Sequence, residues 1–162
     1  MTPAGKRLND IAQQHIQISS QETAELFASD RRGLEPFRKW LLESDIWIIS
    51  SRCDLTTYAY QGYASDISFD IIYELHRGIL RPDIAIFIDI SVETMLSRLG
   101  SRSGAKELYE QEDFLRKCHE GYRKAIEYLR WKGEKIIIVD GEWSVQDVEK
   151  KVWESLEIEF FK

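Results

Sequence analysis

Ile46-Trp47-Ile48-Ile49-Ser50-Ser51-Arg52-Cys53-Asp54-Leu55-Thr56-Thr57-Tyr58-Ala59-Tyr60-Gln61-Gly62 is the stretch whose reading decides the fold. Its first four residues are β-branched or aromatic with no polar break, the pattern of a strand buried on both faces. The run stops at Ser50-Ser51-Arg52. A cation just past the carboxyl end of a buried parallel strand sits where open α/β sheets collect their ligands. Beyond it, Thr56, Thr57, Tyr60 and Gln61 bring hydroxyl and amide groups, which read a polar edge without adding charge. One short segment therefore offers an anion anchor followed by a neutral polar surface.

Helices and apolar runs alternate on either side of this stretch. Thr2-Pro3 caps a short helix with Leu8, Ile11 and Ala12 on one side. Ser19-Ser20 caps a long helix over about 21–43, in which Gly33 and Pro36 predict a bend or brief break. On the carboxyl side, Ser65-Asp66 starts a helix over about 67–75 that ends near Gly78, and Arg81-Pro82-Asp83 turns into a second apolar run, 84–90. Ser91 caps a helix from Val92 to about Leu99. A Gly/Ser-rich stretch, 100–106, leads into a long helix over about 109–131, a strand over 135–139, and a last helix whose capping box is Ser144 with Asp147. Alternation of this kind specifies an α/β parallel sheet with crossover helices, in one domain.

Composition excludes several classes. At 162 residues and 43% hydrophobic the chain supports one sizeable core, and a net charge of −6 argues against general binding to nucleic acid or to an anionic membrane. No apolar run approaches the roughly 18 residues of a spanning helix. Cys53 and Cys118 show neither CxxC nor ligand spacing, and no signal peptide is seen, so reduced thiols in a cytoplasmic protein are expected. His15, His76 and His119 are scattered without metal spacing and read as surface histidines.

Taken together, Arg52 with Ala59-Tyr60-Gln61-Gly62, Leu26-Phe27-Ala28-Ser29-Asp30-Arg31, Arg81-Pro82-Asp83 leading into Ile88-Asp89, Phe114 through Tyr122, and Val139-Asp140 resemble the ordered motifs of the thymidylate kinase family. The resemblance runs from Thr2 to about Leu156 and implies a P-loop NTPase, nucleotide kinase-like fold. It also implies transfer of a phosphoryl group from ATP, with Mg2+, to dTMP. In that frame Phe27 stacks on thymine, Arg31 bonds its carbonyl edge, and Arg52 clamps the acceptor phosphate with a guanidinium fork. Thr57, Tyr60 and Gln61 close over sugar and base. Arg98, Arg102 and Lys106 flank a lid at about 99–108 whose cations meet the transferring group. Which of the three is catalytic is left open, and so is whether Tyr60, Tyr58 or Tyr63 supplies the core aromatic. From spacing alone, Phe27 and Arg31 read as a core aromatic beside a solvated arginine, and the lid as a basic loop at a helix C-terminus.

Two departures from the family pattern stand out. Ser51 occupies the position of an aspartate that helps place the metal and the reacting phosphates, a loss of roughly 10²–10³ in rate by analogy with other single electrostatic groups. No G-x-x-x-x-G-K-[ST] occurs in the sequence, and Gly5-Lys6-Arg7 is no substitute. The expectation is therefore a kinase-like domain missing its first strand, P-loop and second strand. A late start or fragment, or a split enzyme with a P-loop-bearing partner, accounts for that; a non-catalytic nucleotide-binding or interaction module is the alternative. In the family's strand order the absent strand lies between 46–49 and 84–90, which must otherwise pair directly or leave apolar edges open. The family also implies a homodimer.

Overall fold

The computed structural model describes residues 2–13, 16, 18–100 and 112–160, with residues 99 and 100 as backbone alone. In chain order the elements are α1 (Pro3–Ala12), α2 (Ser20–Glu43), α3 (Asp54–Thr57), a π-helical turn (Tyr58–Tyr63), α4 (Phe69–Leu75), β1 (Ala85–Asp89), α5 (Val92–Gly100), α6 (Glu112–Trp131), β2 (Ile136–Asp140) and α7 (Val145–Phe160). They form two compact units, one drawn from Met1–Arg81 and Ala105–Tyr128, the other from Pro82–Gly104 and Leu129–Lys162.

In the first unit, Thr2 caps α1 by accepting from the Gly5 amide at 2.9 Å, and its hydroxyl donates to the Asp30 carboxylate on α2. Ser19 and Glu22 form a reciprocal capping box at the start of α2. The break allowed for at Gly33 and Pro36 does not occur, and α2 runs through both. A proline inside a helix costs about 3 kcal/mol, and the residues flanking this one are held by tertiary bonds. Glu35 accepts from the Leu80 amide at 3.0 Å and from Arg38 at 2.7 Å, while Arg38 donates to the Leu80 carbonyl at 3.1 Å.

The apolar run 46–49 is a correction. Among the described residues it joins no strand ladder, and Trp47 and Ile49 stay 67% and 96% exposed. A strand exists only with a ladder partner; without one, even an ideal β-sequence stays irregular. The chain then enters α3 and the π-turn, where the Ala64 amide reaches back five residues to the Ala59 carbonyl at 3.1 Å. Tyr58 is fully buried here, edge-on to Phe69, so it rather than Tyr60 or Tyr63 is the core aromatic. Leu55, Ile72, Leu115, Cys118 and Ala125 are among the residues buried with it. α4 starts at Phe69, two residues later than the sequence suggests, with Ser68 at its N-cap.

The second unit holds the sheet. β1 and β2 pair in parallel from Ala85↔Ile136 to Asp89↔Asp140, with α5 and α6 between them in sequence, as α/β alternation requires. Both strands lie where the apolar runs place them. Gly141 leaves β2 so tightly that a Cβ there would meet the Cγ2 atoms of Ile88 and Ile90 at 2.5 Å. Next to it, Glu142 caps α5 by accepting from the Ser91 amide at 2.5 Å and the Thr94 hydroxyl at 2.6 Å. These bonds hold the Glu142 carboxyl down at about 2. No described helix is long and apolar enough to cross a membrane.

Candidate functional site

The first unit brings three separate stretches of the sequence to one guanidinium. Arg31 lies one turn along α2 from Phe27, with its guanidinium carbon 5.8 Å from the ring centre. Its Nη1 donates to the Thr57 hydroxyl at 3.0 Å and to Nε2 of His76 at 2.7 Å, and its Nη2 donates to the Cys53 carbonyl at 2.7 Å. An arginine carries five N–H donors in a fixed fork. Among the described residues three are used, leaving Nε–H and one Nη2–H. Burial lowers the Arg31 pKa, opposed first by the nearby Asp54 carboxylate.

Thr57 and Gln61 are buried and Tyr60 is half-buried on the segment that follows Arg52. The Gln61 Oε1 is shut away from solvent without a hydrogen-bond partner among the described residues. Such an orphaned acceptor costs about 1–3 kcal/mol unless something donates to it. Tyr60 meets Phe114 and Tyr122 edge-on at 5.6 and 6.2 Å, and Tyr122 donates to Thr56 at 3.2 Å. Burial raises the Tyr122 phenol pKa and keeps it a neutral donor. Ser51 and Arg52 are exposed; the Arg52 guanidinium lies 5.9 Å from the Tyr60 ring centre, and its backbone is left-handed, at φ 69°.

A second cation stands behind this group. Arg81 donates to the Asp54 carboxylate at 3.1 Å and lies 4.6 Å over the Tyr73 ring, while the other Asp54 oxygen accepts from the Leu55 amide at 3.1 Å. The start of α3 is thus fixed from below. On α2, Arg31, Glu35 and Arg38 recur at helical spacing and all reach the chain between Cys53 and Leu80. Their spacing is a signal that the sequence carries and that the motif-based reading left unused.

His76 was missed. The sequence reads it as a surface histidine, whereas it is 2% exposed. Its Nδ1 meets the Ile72 carbonyl at 2.9 Å, and its Nε2 faces an arginine that can only donate. The ring is therefore neutral, with its proton on Nδ1. Burial lowers its pKa in the same sense.

Arg98 belongs to the second unit, where α5 carries it and its Nη2 donates to the Gly141 carbonyl at 3.1 Å. Arg102 and Lys106 lie outside the described residues.

The sequence matches the family model described as thymidylate kinase over residues 1–152. Thymidylate kinase from Nitrosospira multiformis is 30% identical over 161 residues, which span 96% of this chain and 77% of that protein. The Alkalilimnicola ehrlichii thymidylate kinase is 32% identical over 135 residues, 78% of this chain and 62% of the other. Among solved structures, thymidylate kinase from Candida albicans shares the fold with a TM-score of 0.79 at 22% identity, over 98% of this chain and 76% of that one.

Proposed function

The chain belongs to the thymidylate kinase family, and from that premise we propose that it carries the acceptor half of a dTMP kinase, with ATP and Mg2+ as the donor and dTDP and ADP as products. Support comes from one observation above the others: Phe27, Arg31 and Thr57, drawn from two motifs 26 residues apart, share one guanidinium. Phe27 stacks on thymine, and the two unused Arg31 donors take a base carbonyl. The orphaned Gln61 oxygen would take an N–H of the same edge. Thr57 and Tyr60 bound the sugar side, and exposed Arg52 holds the acceptor phosphate. Arg98, Arg102 and Lys106 remain the candidates for the transferring group.

The donor side is not recognisable in this sequence, which contains no G-x-x-x-x-G-K-[ST] to cradle the ATP phosphates. The phosphate cradle is assigned to a preceding segment or a P-loop-bearing partner. Residues 1–162 are taken as one kinase-like domain, homodimeric as the family pattern implies. Reduced Cys53 and Cys118 favour a cytoplasmic setting.

Ser51, exposed where the family pattern has an aspartate, favours a second reading: a nucleotide-binding module without catalysis. Calorimetric titration of the full chain with dTMP, dCMP and dAMP, followed by ATP with Mg2+, tests the proposal. Saturable binding selective for dTMP is expected. No binding by the folded chain would sink the assignment of Phe27, Arg31 and Arg52. Turnover on adding a P-loop-bearing chain would separate the enzyme from the module.

A further inference from the structure

We infer that His76 is a positioning residue for the base site: its unprotonated Nε2 holds the Arg31 guanidinium against Phe27 and Thr57 and so aims the two remaining N–H groups. The inference rests on the base-site reading of Phe27 and Arg31 and adds a residue from outside every motif used for it.

The geometry carries the argument. Arg31 leaves a helix on one side, and a long flexible side chain loses its aim unless its donors are tied down. Three acceptors tie it: the Thr57 hydroxyl, the Cys53 carbonyl and His76 Nε2. The first two lie on the segment that itself bounds the site. His76 alone comes from elsewhere, at the C-terminal end of α4, and it is locked there by its own bond to Ile72. The Tyr58 ring lies 6.4 Å away and confines the imidazole further. Arg31, Asp54 and Arg81 are the charged groups that act on His76, two cations and one carboxylate. A second proton, on Nε2, would set two cations 2.7 Å apart, and a proton there in either charge state would remove the acceptor that His76 offers. The neutral Nδ1–H tautomer is thus what the site requires.

The test uses the full chain and thymidine, a probe without a phosphate, so that Arg52 does not enter. His76→Gln keeps an acceptor at the Nε2 position, whereas His76→Leu keeps volume and removes it. Expected is a loss of about tenfold or more in thymidine affinity for His76→Leu, and a change within about threefold for His76→Gln. Equal affinities for wild type and a folded His76→Leu overturn the inference while leaving the base site intact. No thymidine binding by the wild type overturns both. Long-range 15N correlation on the unliganded chain reads the tautomer independently and decides the matter if His76→Leu does not fold. A neutral ring protonated on Nδ1 supports the inference, and a ring protonated on Nε2 at neutral pH overturns it.

Discussion

Arg81 reaches back 27 residues to bond the Asp54 carboxylate at 3.1 Å, tying the chain just before the first strand to the first turn of α3. The carboxylate is only 9% exposed and the arginine 26%, so the pair is screened by protein more than by water. Its role is to fix the height of α3, on which Thr57 rides.

Removing the arginine alone leaves a buried carboxylate uncompensated. Arg81→Met is expected to cost about 3 kcal/mol, the lower end for breaking a buried pair, since part of Arg81 is solvated. Adding Asp54→Asn should recover much of that. Urea unfolding of the two single variants and the double gives the coupling directly.

Substitutions at the proposed base site should separate affinity from stability. Phe27 is half-buried, so Phe27→Ala is expected to weaken dTMP binding by about 1–3 kcal/mol through lost stacking. Arg31→Lys loses the fork and should cost about 1.5–3 kcal/mol of the same affinity. Calorimetry with dTMP reads both, and indifference to either removes that residue from the site.

Acid should destabilise the first unit through His76. Its folded pKa lies below the ordinary 6.5, so between the two values the unfolded chain binds the extra proton. The contribution is complete above 6.5 and is lost as pH falls toward the folded value, at no more than about 1.4 kcal/mol per pH unit for one proton. Unfolding of wild type and His76→Gln at a series of pH values should show this slope in the wild type only.

Gly121 on α6 touches the π-turn. A Cβ there would sit 2.8 Å from the Ala59 carbonyl oxygen and 2.9 Å from Tyr63 Cβ, and a backbone oxygen cannot swing aside. Gly121→Ala gains helix propensity of about 1 kcal/mol yet should still destabilise by roughly 1–3 kcal/mol, because overpacking dominates. Thermal unfolding measures the balance.

Local patterns carried most of the architecture. Capping at Thr2, Ser19, Ser91 and Ser144, and the apolar runs of β1 and β2, need only neighbouring residues to be read. Two features failed because they depend on distant chain. Ile46–Ile49 has the composition of a strand but joins no ladder among the described residues, and periodicity carries no record of a partner. The unbroken α2 depends on Glu35 and Arg38 gripping Leu80, 45 and 42 residues away. The site divides the same way. Phe27 and Arg31 came from the motif around them, since their spacing alone reads as a core aromatic beside a solvated arginine; the structure sets the two side by side. His76 carried no linear signal, since its tautomer is set by an arginine 45 residues away.

The left-handed backbone at Arg52 bears on how that residue can be studied. An L-residue held there carries roughly 1–2 kcal/mol of steric cost, which a glycine would not. Truncation to alanine therefore erases the guanidinium but keeps the cost, while truncation to glycine erases both. A pair of scans, one to alanine and one to glycine, would resolve the cation's contribution from that of the peptide that aims it, and a conventional alanine scan would confound the two.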